Sequence, residues 1–166
     1  MHFNLLKKYI YLYIAVGVIS FLGVTFFSYK IDYAHLYNKY SDSLYRQAIS
    51  ISTEYASDYF SNEHLRVIET QLKTVSSLSN TRIIFIDPNG NVILDTQYNS
   101  PTDENGHLYT VTDFDYSNLG TSHTLTGDFY GTFDSTYISV FAPITNAFTT
   151  KGYVVVNIPE KTITDD

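Results

Sequence analysis

The chain has 166 residues, 17 Asp/Glu against 10 Lys/Arg, 16 Tyr, 11 Phe and no Cys or Trp. No disulfide or thiol chemistry is open to it. Its acidic balance argues against nucleic acid, which needs cations facing phosphates.

The first element is apolar. Residues 9–29 (YIYLYIAVGVISFLGVTFFSY) carry no charge and lie between Lys7-Lys8 and Lys30. As a helix this run is roughly 31 Å long, the thickness of a bilayer's hydrocarbon core. Tyr9, Tyr11, Tyr13 and Tyr29 sit near its ends, where amphipathic rings prefer the headgroup level. Cleavable signal peptides have shorter apolar regions followed by a small-x-small site, and Phe26-Phe27-Ser28-Tyr29-Lys30 offers none. The expectation is an uncleaved membrane helix, residues 9–29, preceded by a cytoplasmic tail, residues 1–8, because Lys7-Lys8 obeys the positive-inside rule. The rest of the chain is then outside.

A second pattern follows without interruption. Apolar residues recur at Tyr33, Tyr37, Tyr40, Leu44, Ala48, Ile51, Tyr55 and Tyr59, one face of a long helix, with no Pro or Gly from Val24 to Ser61. The membrane helix is expected to run straight into it. Ser61-Asn62 then supplies an N-cap and Glu63 a first-turn acid for another helix that ends near Leu78, with Leu65, Ile68, Leu72 and Val75 on its apolar face.

From Arg82 the period becomes that of strands. Arg82–Asp87 and Asn91–Asp95 are joined through Asp87-Pro88-Asn89-Gly90, a hairpin signal, since Pro suits the second turn position and Gly or Asn tolerates positive φ. A polar loop spans Gln97–Gly106, and an irregular segment lies between Leu108 and Leu119. Three more strands are expected at His123–Tyr130, Thr136–Thr145 and Gly152–Ile158. The sum is an α+β fold with a five-stranded antiparallel sheet, long helices on one face and the irregular segment on the other.

From Ile31 onward there are 7 Lys/Arg against 17 Asp/Glu, and no cation between Arg82 and Lys151. Catalytic signatures are missing. The five His are scattered without metal-ligand spacing, no Gly-x-Ser-x-Gly occurs, and Asp87-Pro88-Asn89-Gly90 lacks the later ligands of a calcium loop. No enzyme activity and no cofactor are expected of this stretch, and no metal site can be assigned.

Three segments in order resemble the extracytoplasmic Cache/PDC (PAS-like) sensor domain of bacterial membrane sensor histidine kinases. They are Ile83–Thr96 as the central hairpin, Phe141-Ala142-Pro143-Ile144-Thr145, and Lys151–Pro159 as the last strand. The resemblance implies a PAS-like sheet over residues 30–160. It implies that residues 161–166 begin the connection to a second membrane helix. It further implies a homodimer in the plasma membrane with the domain outside, serving as the stimulus-sensing portion of a two-component histidine kinase. A chemoreceptor or a cyclic-dinucleotide enzyme carries the same kind of front end. A membrane-anchored surface or assembly protein with a helical oligomerisation stalk is the alternative of another class.

Two sensing modes follow. In the first, a small ligand binds between the sheet and the segment from Leu108 to Tyr130. Tyr109, Phe114, Tyr116, Phe129, Tyr130, Tyr137 and Phe141 would line the site, with Asp113 and Asp115 as polar anchors. The lack of Lys and Arg from Ile83 to Thr150 disfavours a dicarboxylate and favours a neutral or cationic ligand. In the second, Asp103, Glu104, Asp113, Asp115, Asp128 and Asp134 form an acidic surface for cations.

Overall fold

The computed structural model of the chain describes residues 2–54, 65–98, 106–117, 119, 123–146 and 148–164. It falls into two compact units, Met1–Asn38 and Lys39–Asp166. The expected cap at Ser61-Asn62 and the stripe positions Tyr55 and Tyr59 lie outside the described residues.

Helix α1 spans His2–Glu54. In its first unit the large apolar side chains from Tyr9 to Ile31 are exposed, including Leu12, Ile19, Phe21, Phe27 and Tyr29. The helix is long and apolar enough to cross a membrane. Its threonine hydroxyl is satisfied internally: Thr25 donates to the Phe21 carbonyl at 2.9 Å. That is the arrangement hydrocarbon requires, since no solvent there can pair a free hydroxyl.

The second unit begins inside the same helix and is α+β. After α1 come α2 (Leu65–Ser79), β1 (Arg82–Ile86), β2 (Asn91–Asp95), β3 (Tyr109–Thr110), β4 (Thr124–Gly127), β5 (Tyr137–Asn146), β6 (Thr149–Pro159) and the short α3 (Lys161–Thr164). The strands form one antiparallel sheet of six in the order β3-β2-β1-β6-β5-β4. The expected five strands thus become six. The addition is β3, whose two residues pair with Asn91 and Val92.

The strand expected at His123–Tyr130 is shorter. It ends at Gly127, because Phe129, Tyr130 and Gly131 all take positive φ (50°, 55° and 74°). Asp128 holds that turn: its side chain accepts from the Gly131 N–H and its carbonyl from the Phe133 N–H.

Strand alternation divides the sheet into two faces. One carries Ile83, Phe85, Leu94, Ile138, Val140, Val154, Val156 and Ile158, all buried. α2 packs on β1, and Leu44, Ala48 and Ile51 of α1 with Ile68 and Leu72 of α2 are buried as well. These are the helix-stripe positions read from the sequence. Thr96 pins this layer: its hydroxyl accepts from the Ile83 N–H at 3.0 Å and bonds Ser76 of α2 at 2.9 Å.

The other face carries the aromatic cluster. The β1–β2 turn fixes how the chain returns over it. Gly90, at φ +87°, accepts the Val111 N–H at 2.7 Å, and a Cβ there would lie 2.6 Å from the Val111 carbonyl oxygen. Only glycine meets both the torsion and the close approach.

Candidate functional site

The aromatic face is built from β-strand positions of one parity and from the segment that crosses them. Ile84 and Ile86 of β1, Val92 of β2, Phe141 of β5 and Val155 of β6 point the same way. Val111, Leu119, Phe129 and Phe133 cover them, with Tyr109, Phe114, Tyr116, Tyr130, Tyr137 and Tyr153 half-buried around the edge. The seven aromatic residues expected to line a site therefore come together.

Their rings are in mutual contact. Phe114 lies 5.9 Å from Tyr130, 6.2 Å from Phe141 and 5.8 Å from Tyr153. Tyr116 stacks on Tyr153 at 4.1 Å, and Phe129 stacks on Phe133 at 5.0 Å. Offset and edge-on ring pairs of this kind are worth about 0.5–1.5 kcal/mol each beyond the area they bury. Burial pushes the phenols of Tyr116, Tyr130 and Tyr153 above the ordinary tyrosine range, so all three remain neutral hydrogen-bonding groups.

Asp113 and Asp115 sit elsewhere. Both are exposed on the crossing segment. Asp113 occupies a positive-φ position (61°), and Asp115 accepts from the Ser117 N–H and hydroxyl at 2.9 and 2.6 Å. Those bonds hold the Asp115 carboxyl below the usual carboxylate range. The two acids belong to the rim and are absent from the buried cluster. Of the acidic surface, Asp103 and Glu104 lie outside the described residues. Among the described residues no three His, Asp or Glu side chains converge as a metal site would require.

A buried carboxylate of this face is a different one. Asp95, buried, takes Arg82 in a fork: Nε donates to Oδ1 at 3.0 Å and a terminal nitrogen to Oδ2 at 2.6 Å. The Tyr109 hydroxyl donates to Oδ2 at 2.8 Å and the Gln97 N–H to Oδ1 at 3.0 Å. Arg82 also lies over the Phe133 ring, 4.5 Å from its centre. Burial works against the charge on Arg82, but the Asp95 carboxylate outweighs it and raises the guanidinium pKa. Burial, and then the Asp95 charge, push the Tyr109 phenol well up. The Arg82 charge is therefore already matched by Asp95 and is not free to meet a dianionic ligand.

His123 joins the face to α1. Its ring stacks on Tyr45 of α1 at 5.5 Å and 6°, and on Tyr116 at 6.0 Å and 15°. Tyr116 Oη and His123 Nδ1 share a hydrogen bond of 2.9 Å. Ser41 of α1 bonds Thr124 of β4 beside it, at 3.1 Å.

Tyr45, Arg82, Asp95, His123, Phe133 and Tyr153 were absent from the expected lining. A signal existed for some. Tyr153 alternates in phase with Val155, and Arg82 with Ile84 and Ile86. The Tyr45–His123 contact joins residues 78 positions apart and has no local signal.

No family model matches the chain, and no curated protein matches it.

Proposed function

We propose that the chain is the stimulus-sensing portion of a membrane receptor. A small neutral or cationic molecule binds on the aromatic face and shifts α1, the helix whose first part is apolar enough to span a bilayer. By the resemblance of its hairpin and last strands to Cache/PDC domains, the parent receptor is a sensor histidine kinase that works as a homodimer. The observation that carries this reading is the ring stack Tyr116–His123–Tyr45, which runs from the edge of the aromatic face to α1. Displacement of Tyr116 by a ligand alters the packing on Tyr45, and a helix is stiff enough to pass that change along its axis.

Three further features support the reading. Setting β3 aside, the strand order β2-β1-β6-β5-β4 places the first and last strands side by side at the centre, as a PAS-like sheet requires. The aromatic face is large and poor in free charge, as small-molecule sites tend to be. α2 packs on β1 and bonds Thr96, on the other side of the sheet from this face.

The chain has no Cys, so single cysteines report contacts cleanly. Lys39→Cys, Asp42→Cys and Arg46→Cys, at exposed positions of α1, are to be placed one at a time in the full chain in lipid nanodiscs. Compounds that raise its thermal midpoint are selected first. Such a compound is expected to change the cysteine cross-linking between copies. Tyr45→Leu is expected to remove that change while the compound still binds. A bound compound that leaves the cross-linking pattern unaltered refutes the reading.

A further inference from the structure

A row of residues crosses the aromatic face at one level: Arg82 on β1 pairs with Asn157 on β6, Asn157 with Ser139 on β5, and Ser139 with Leu125 on β4. Two atoms of this row stand out. Ser139 Oγ and Asn157 Oδ1 are buried and have no hydrogen-bond partner among the described residues, and their residues are 1% and 0% exposed. Asn157 Nδ2 already donates to the Arg82 carbonyl at 2.9 Å. Its free atom is therefore an acceptor. Folded proteins leave very few such groups unpaired, because each forfeits its bond to water and receives nothing in return.

An aromatic turn meets the row at Arg82. Phe129 and Phe133 stack on each other, Phe133 rests on the Arg82 guanidinium, and Phe129 reaches Phe141 at 6.0 Å. Phe129 and Tyr130 are consecutive aromatic residues at positive φ, a region that bulky side chains rarely occupy. Sparsely populated backbone conformations concentrate at ligand sites, and this one lies beside the unsatisfied polar atoms' row at Arg82.

We infer that Ser139 Oγ and Asn157 Oδ1 are the polar floor of a ligand site, roofed by Phe129 and Phe133, that takes a small neutral molecule with a carboxamide-type head. The inference rests on the aromatic face being the sensing site and names its ligand class. The head must donate to Asn157 Oδ1, which only accepts, and it can exchange a second bond with the Ser139 hydroxyl, which donates or accepts. A primary amide offers an N–H and a carbonyl side by side. A carboxylate has no hydrogen for Asn157 and finds Arg82 held by Asp95. An ammonium has the hydrogens but finds Asp95 already occupied by Arg82, Tyr109 and the Gln97 N–H, so its charge would be buried without a counterion. The aromatic walls take the apolar body.

Four probes of one shape separate these cases: benzamide, benzylamine, benzoate and toluene. Each is titrated at millimolar concentration against the full chain in nanodiscs, following the thermal midpoint by tyrosine fluorescence and the Asn157 side-chain amide by NMR. Benzamide is expected to raise the midpoint and move the Asn157 signal, and the other three to do neither. Ser139→Ala removes an unpaired hydroxyl. The variant is expected to melt about 2–4 °C higher without ligand and to bind benzamide roughly 2- to 10-fold more weakly. A residue with a merely structural role cannot give both changes. Toluene or benzoate binding as well as benzamide refutes the donor head while leaving the sensing face intact. A Ser139→Ala variant that melts lower, or binds benzamide unchanged, refutes the polar floor in the same way. Silence from all four probes also refutes the inference, whereas the sensing reading is decided by the cross-linking experiment.

Discussion

Replacing Asp95 with alanine is expected to cost the second unit about 3–5 kcal/mol, because it strands the Arg82 guanidinium in a largely buried position without its partner. Asp95 is 3% exposed and holds both ends of a fork from Arg82, the Tyr109 hydroxyl and the Gln97 N–H. Domain stabilities are about 5–15 kcal/mol, so this one change consumes a large share of the margin. Urea unfolding followed by circular dichroism, on the full chain in micelles, reads it directly. The double variant Arg82→Met with Asp95→Ala is expected to recover much of the loss, since an apolar replacement for a buried pair is often neutral. A single-variant cost under about 1 kcal/mol would mean that solvent already reaches the pair.

Phe141→Ala is the second large effect, with an expected cost of about 3–5 kcal/mol. Phe141 is fully buried at the middle of β5 and lies within 6.4 Å, ring to ring, of Phe114, Tyr116 and Phe129. Truncation removes its buried surface and leaves a hole that its neighbours fill only in part. Phe141→Leu keeps most of the volume and is expected to cost less than half as much. Because the hole opens on the candidate site, Phe141→Ala is also expected to weaken any compound that stabilises the unmodified chain. The checks are the unfolding midpoint and a binding titration. Equal stability of the alanine and leucine variants would show a face too loosely packed to need the ring.

Much of this fold is written in local periodicity. The apolar steps of three and four that pass through Leu44, Ala48 and Ile51 state which side of α1 is buried, and the structure buries those three residues. Asp87-Pro88-Asn89-Gly90 states the β1–β2 turn: the Asp87 carboxylate accepts from the N–H groups of Asn89 and Asn91 at 2.8 and 2.9 Å. Two features were hidden. β3 is only two residues long and exists because Val111 docks on Gly90, a contact between segments that alternation cannot announce. β4 stops early because the run His123–Tyr130 has strand-like composition, but its last residues leave the sheet in a left-handed turn.

The candidate site divides in the same way. Its aromatic wall was readable, since ring-bearing residues cluster in sequence after Leu108. Its floor was readable only in part. Ser139 and Asn157 are isolated polar residues inside strongly apolar strands, Tyr-Ile-Ser-Val-Phe and Val-Val-Val-Asn-Ile, and share the parity of Phe141 and Val155. That they face one another depends on the β5–β6 register, which the strands alone do not set. Arg82 and Asp95 meet across the hairpin for the same reason. Asp113 and Asp115 stay exposed on the crossing segment, whereas Asp95, at the end of β2, is a buried carboxylate of this face.

A receptor front end requires the apolar helix to be a permanent tether and the second unit to stand outside the cell. Thr150→Cys, at an exposed position of β6, gives the chain its only cysteine and reports both properties at once. A membrane-impermeant maleimide is applied to intact bacterial cells expressing the full-length variant, and their membranes are then washed with alkaline carbonate. The labelled chain is expected to stay with the membranes. Release into the carbonate supernatant, or labelling only after the cells are broken, would contradict the receptor interpretation.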